Sequence, residues 1–308
     1  MFEVKPKNCW PERKEMNNNQ EKSVSMSSRK NATDSTPVRV VAICGGKGGV
    51  GKTNVAINLS LALSSLGQKS LLLDGDLGLA NIDTLLGIQP KFNLSHLLDG
   101  ICSINQLLTP IARNVDLVPA ASGVCRMSDL SSAEQMGLIS SFSGLKQPYD
   151  NLIIDCAPGI DPTTLQLMST AQEVLLVVVD EPASMTDAYA TIKVLRNTHG
   201  ISRFRVLVNM TRRPDQAAEV FQKIARVADR FLDVSLHFEG GIPFDKRLGQ
   251  AIQSQEAVIH RFPSTPASMA FIRLARSALG WPQPARPSGT TEFFVERLLP
   301  SAADLELT

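Results

Sequence analysis

Residues 38–67 constrain the fold more than any other stretch. VRVVAIC (38–44) is a short β-branched run, GGKGGVGKT (45–53) a glycine loop, and NVAINLSLALSSLG (54–67) a segment of helical period closed by Gly67. A strand, a glycine loop and a helix in that order make G-x-x-x-x-G-K-[ST] a specific signal for a phosphate cradle, because backbone N–H groups and the helix N-terminus then face one anion. Gly46 and Gly51 are the fixed glycines, and the N–H groups of Lys47, Gly48, Gly49, Val50, Gly51 and Lys52 are predicted to face phosphate oxygens. The Lys52 ammonium is expected at the β/γ-phosphates and the Thr53 hydroxyl on Mg²⁺. Lys47 is a second cation inside the variable part of the loop, one more than such a cradle needs.

KSLLLD (69–74), VDLVPA (115–120), NLIIDCAPG (151–159), EVLLVVVD (173–180) and FRVLVNM (204–210) are further apolar runs. Runs apolar on both faces suit a parallel sheet covered by helices. Helical stretches at 182–197, 214–231 and 266–279 separate them. The expected fold is α/β, a doubly wound, mostly parallel sheet with helices on both faces and ligands beyond the carboxyl ends of its strands. That edge receives the loop at 45, Asp74, Asp76, Asp155 and Asn209.

LLLDGDLG places Asp74 and Asp76 just past a strand end, and LIIDCAPG places Asp155 at another, behind an aliphatic run. A carboxylate there holds Mg²⁺, directly or through water, and one near the γ-phosphate orients the attacking water. Asp74 and Asp155 are assigned to the metal and Asp76 to catalysis, although a lone strand-end aspartate more commonly caps a helix. No N-K-x-D or T-K-x-D guanine signature follows 204–210; the sequence there is VNMTRR. The Asn209 amide suits an adenine edge, which favours ATP over GTP.

The formal net charge of +1 gives no general attraction to nucleic acid or membrane. TRRP (211–214) and DKRLG (245–249) are only short basic patches, so no sequence-specific nucleic-acid binding is expected. No run of 18 apolar residues occurs. The five cysteines (9, 44, 102, 125, 156) form no C-x-x-C pair, and Cys44 and Cys156 fall inside apolar runs, as reduced thiols of a cytoplasmic protein would. Histidines 96, 199, 237 and 260 are scattered. Residues 1–37 are polar, lack the apolar core of a secretory leader, and read as a disordered extension. The nucleotide domain is expected at 38–281, a proline-rich linker at 282–289 and an amphipathic tail at 290–308. On a helix, Phe294/Leu298 and Val295/Leu299 form one apolar stripe, suited to membrane contact or to docking on protein.

Lys47 and Lys52 together resemble the loop of the deviant Walker-A ATPases of the MinD/ParA class. DGDLGLANIDTLLG (74–87) is similar to that class's first switch, with Asp76 and Asn81 at matching positions, and DCAPGID (155–161) to its second. GGIPFDKRLGQAIQSQEAVI (240–259) resembles the segment whose Pro243, Phe244 and Asp245 line the adenine pocket. The resemblance implies that Lys47 crosses a nucleotide-sandwich homodimer to the partner's phosphates, as an arginine finger does, so that slow ATP hydrolysis depends on dimerisation. EVLLVVVDEPASMTDAYATIKVL, DRFLDVSLHFEGGIPFD, VPAASGVCRMSDL and EFFVERLL are similar to the flagellar branch of the class. That branch implies an ATP-dependent dimer that controls flagellar number. It restrains a FleQ-like AAA+ transcription activator beside an FlhF-like SRP-type GTPase, with peripheral contact at the inner face of the cytoplasmic membrane through 290–299.

Three features depart from the branch. Asn54 stands where many relatives have a second threonine, the N-terminus lacks the D-Q-A-x-x-L element linked to GTPase stimulation, and the tail is less basic than a usual membrane-targeting helix. A ParA-type partition ATPase acting on DNA or membrane cargo shares the switches, but calls for a clustered basic face. An iron–sulfur relative needs a second-switch cysteine where this chain has Pro162 and threonines, and a tyrosine-kinase relative a tyrosine-rich tail that Tyr149 and Tyr189 do not make. A nucleotide-gated binding module needs the same site as a timer ATPase, so the sequence leaves that choice open.

Overall fold

The computed structural model describes residues 37–124, 130–282 and 292–294. The N-terminal extension, Cys125, nearly all of the linker and most of the tail lie outside the described residues. In chain order the strands are β1 (Arg39–Cys44), β2 (Ser70–Gly75), β3 (Thr109–Ala112), β4 (Val115–Val118), β5 (Asn151–Cys156), β6 (Glu173–Val178), β7 (Arg203–Thr211) and β8 (Ser235–Pro243). They form one sheet in the order β3-β4-β2-β5-β1-β6-β7-β8. Only β3, against β4, is antiparallel. The doubly wound sheet expected from the apolar runs is present.

The described helices are α1 (Lys52–Ser65), α2 (Ile82–Leu86), α3 (Leu94–Leu98), α4 (Ile104–Leu107), α5 (Ser132–Ser141), α6 (Pro162–Ser169), α7 (Pro182–His199), α8 (Gln216–Phe231), α9 (Lys246–Gln253), α10 (Val258–Arg261) and α11 (Pro266–Leu279). β1, β2, β5 and β6 are buried at every position, which explains why their sequences show no alternation. On one face Val55 and Leu59 of α1 pack with Phe271 and Leu274 of α11. On the other, Leu138, Leu165, Ile192 and Val220 come from α5 to α8. Each such side chain contributes roughly 1.5–3 kcal/mol by leaving water.

Register sets the chemistry at the strand ends. Asp74 on β2 stands beside Asp155 on β5, and Asp155 beside Ile43 on β1, just before the glycine loop. The amino edge carries a different set of charges. There Glu173 accepts from Arg203 (3.0 Å) and Arg205 (2.7 Å), and Arg205 also donates to Glu239 (2.5 Å). The Arg205 guanidinium lies 4.3 Å from the centre of the Trp281 ring.

Of the two alternatives for the tail, the described part takes docking on protein, and the helical stripe is what needs correction. Phe293 and Phe294 are buried, and their rings meet Phe142 edge to face at 4.7 and 6.2 Å. Phe294 has φ 57°, so no helix runs through it. It is therefore not available to an exposed stripe with Leu298. At 292–294 the tail docks on the chain's own domain, where the two phenylalanines leave water against Phe142.

Candidate nucleotide site

From β1 the chain turns through 45–51 into α1, whose first residue is Lys52. Two glycines make the turn possible. Gly51 has φ 92°, and a Cβ there would strike the Asn209 amide. A Cβ on Gly46 would strike Asp187 in α7, so the loop lies directly against that helix. Asn209 clamps the loop from β7, donating to the Val50 carbonyl at 2.8 Å while its oxygen accepts from Met210 N at 2.9 Å. That clamp is a role the sequence did not suggest, and it leaves one amide N–H for a base edge.

A cavity of about 520 Å³ opens beside the loop. Gly49, Gly51, Lys52, Thr53 and Asn54 line one wall, and Asn81, Thr84 and Leu85 another. Asn209, Met210, Pro243, Phe244, Asp245, Leu248 and Ile252 are among the residues that line the rest. The size and the polar-to-apolar gradient suit a nucleotide, with phosphates at the loop and base between α2 and α9. Phe244 is 51% exposed under the Arg212 guanidinium. Asp245 caps α9, accepting from Arg247 N at 2.8 Å and Ala267 N at 3.3 Å, so its carboxylate holds the pocket wall in place. The sequence missed Thr84, Leu85, Leu248 and Ile252; the i,i+4 pair Leu248/Ile252 inside DKRLGQAIQ was the legible signal.

The two lysines have different surroundings. Lys52 is buried on the cavity floor, with Nζ 3.5 Å from the Lys47 carbonyl. Lys47 lies outside the cavity lining, half exposed, and its Nζ donates to Glu181 Oε2 at 2.8 Å. Glu181, just past β6, was not recognised from sequence. Gly46, Gly48 and Val50 belong to the loop without lining the cavity.

Asp74 is buried and accepts from Asp76 N (3.2 Å), Asn81 N (3.0 Å) and Ile82 N (3.2 Å). It thus anchors the start of α2 as well as facing Asp155. Burial pushes the Asp74 carboxyl up to about 7. Burial, with neighbouring Asp74, pushes Asp155 up to about 8, against the opposing pull of nearby Thr53 and Lys52. Asp155 Oδ1 is buried with no hydrogen-bond partner. Adjacent buried carboxylates with an orphan oxygen fit a divalent cation that would let both ionise. No group of three or more His, Cys, Asp or Glu among the described residues forms a metal cage. Such an ion would complete its shell with phosphate oxygens and water, as Mg²⁺ does. Asp76 is half-buried, accepts from Leu79 N at 3.2 Å, and lines a second cavity of about 560 Å³ with Leu79, Gly123 and Asp161. Burial raises its carboxyl above the ordinary range.

Residues 38–203 match the family described as AAA domain. The antiactivator FleN of Pseudomonas aeruginosa is 50% identical over 263 residues, 85% of this chain and 94% of that protein. The chain belongs to the FleN branch of the MinD/ParA-class ATPases. The flagellum site-determining protein YlxH of Helicobacter pylori is 28% identical, over 77% of this chain and 80% of its own. Among solved structures, septum site-determining MinD of Pyrococcus horikoshii, complexed with Mg-ADP, superposes with a TM-score of 0.65 at 27% identity, covering 78% of this chain and 96% of that one. A ParA family ATPase of Chlorobium tepidum shares the fold at 20% identity and a TM-score of 0.64.

Proposed function

We propose that this FleN-branch chain is a nucleotide-driven switch: with ATP and Mg²⁺ it dimerises, and slow hydrolysis across the dimer resets it. The observation that carries the reading is the separation of the two lysines. Lys52 occupies the chain's own cradle, while Lys47 stands outside it, exposed and held by Glu181. A second copy facing the loop would receive that cation at its phosphates, where it would neutralise charge developing in transfer. The Mg²⁺ would be held by Thr53, Asp74 and Asp155, directly or through water, and would supply charge neutralisation at the phosphates. Asp76 would orient the attacking water, and residues 38–281 would carry the whole ATPase.

The kinship with an antiactivator supports a cytoplasmic role in controlling flagellar number by restraining a FleQ-like AAA+ activator, with an FlhF-like GTPase as a further partner. Contact with the inner face of the membrane would fall to residues beyond Phe294, since Phe293 and Phe294 are buried. No helix among the described residues is long and apolar enough to cross a membrane.

Light scattering with Mg²⁺ and a non-hydrolysable ATP analogue should show a dimer, and an unchanged monomer mass at saturating analogue would refute the switch. Lys47→Ala should still bind nucleotide but lose about 10³-fold in turnover, whereas Lys52→Ala should lose binding itself. Asp76→Ala should bind ATP, stay dimeric and restrain flagellar genes more strongly. Recovery of chromosomal DNA alone, with no transcription activator, would favour partition.

A further inference from the structure

A strained residue outside the phosphate loop links α2 to the segment that follows α9. Gln255, two residues past α9, has φ 55°, a left-handed conformation that is unfavourable for a non-glycine residue. Its Nε2 donates to the Thr84 carbonyl in α2 at 3.1 Å, across 171 residues of chain. Its side chain also lies against Gly87, which ends α2 at φ 61°, so closely that a Cβ on that glycine would touch Gln255 Oε1 at 2.8 Å. Strain kept by a side chain that reaches a distant element points to a positional role.

The two sides of this link differ in rigidity. The segment after Gln255 is fixed to α1, because Ile259 N donates at 3.2 Å to Oδ1 of Asn58, itself buried and bonded back to the Asn54 carbonyl at 2.8 Å. Helix α2 has only five residues and does not hold its shape alone. Asp74 secures its first turn from the phosphate end, and Gln255 secures its last from the base end. Between these anchors Leu85 lines the cavity opposite Leu248 and Ile252.

We infer that Gln255 is a positioning residue that makes α2 a rigid connector, so that a purine base between Leu85 and α9 orders the loop carrying Asp74 and Asp76. This rests on the nucleotide reading above and adds that the base, and not only the phosphates, sets the switch. A ligand with phosphates but no base should leave α2 less ordered than one with both.

Hydrogen exchange of residues 76–87 in the full chain tests this, with Mg-ADP against Mg-pyrophosphate at saturation. In the wild type ADP should slow exchange about tenfold more than pyrophosphate, a typical coupling between linked sites. Gln255→Gly relieves the backbone and removes the link, and Gln255→Glu keeps the size but removes the donor. In both variants ADP and pyrophosphate should protect equally, with melting temperature retained and kcat for ATP lowered more than KM is changed. Equal protection by the two ligands in the wild type, or an undiminished difference in both variants, overturns the link alone. A wild type that binds neither ligand overturns the nucleotide reading, and the link with it.

Discussion

The two edges of the sheet both bury charge, and they resolve it differently. At the amino edge, Glu173 sits between two arginines and Glu239 joins Arg205, so each carboxylate meets its cation inside the chain. Buried groups unpartnered there are mostly donors, among them Arg39 Nε, Asn151 Nδ2, Gln172 Nε2 and Trp281 Nε1. At the carboxyl edge, Asp74 and Asp155 lie side by side, and Asp155 Oδ1 has no partner. Burying a carboxylate without a counter-charge is costly, and proteins then shift its pKa or bring in a cation. At the first edge each of these carboxylates is neutralised as folded. The second leaves an orphan carboxylate oxygen beside the cavity, where a cation from outside would fit.

The largest effect on stability should come from the first edge. Glu173→Gln leaves Arg203 without its carboxylate and Arg205 with Glu239 alone, and should cost about 3–5 kcal/mol in urea denaturation. Nucleotide affinity of the folded protein should not change; a specific loss of affinity would break the contrast between the edges. Asp155→Asn should do the reverse. Without nucleotide at pH 8 it should gain about 1–3 kcal/mol by removing an unpartnered buried charge, and Mg²⁺ should no longer strengthen nucleotide binding. Destabilisation of the nucleotide-free chain by this change would show that Asp155 is satisfied internally.

The pH profile sharpens the same contrast. Asp74 and Asp155 have folded pKa values of about 7 and about 8, raised from 3.8, so the folded chain binds more protons than the unfolded one between these limits. Their contribution is fully present below pH 4 and is lost as pH rises toward 8. Melting curves of the nucleotide-free chain should therefore fall over that window, less steeply in Asp155→Asn, and Mg²⁺ with nucleotide should flatten the fall. The smallest effect belongs to Lys47→Ala. Its pair with Glu181 is solvent-exposed and screened, so the denaturation midpoint should not move while turnover collapses. A large stability loss would make Lys47 part of the scaffold instead.

The central strands were legible because burial on both faces writes itself as an uninterrupted apolar run. The edge strands were not. β3, TPIA, contains a proline and pairs through a bulge, and β8, SLHFEGGIP, is mostly only partly buried and interrupted by glycines. Helix α5 carried a signal that the apolar pattern alone passed over, the capping box of Ser131 and Glu134. Within the site, the loop, Asp74, Asp155 and Asn209 were legible as strand-end chemistry. Glu181, Leu85 and Gln255 were not, since nothing local marks a residue whose partner lies far along the chain.

By itself the sequence determined the phosphate loop, the parallel α/β plan and the gathering of three aspartates at the carboxyl edge. Those follow from short-range patterns: glycines that permit a turn, and runs whose period matches one kind of element. The tertiary structure alone decided that Asp74 faces Asp155, that Lys47 turns away from its own cavity to Glu181, that Asn209 clamps the loop, and that Phe293 and Phe294 pack on Phe142. The reason is register. Strands distant in sequence become neighbours through helical crossovers, and which side chains then meet depends on how those crossovers pack.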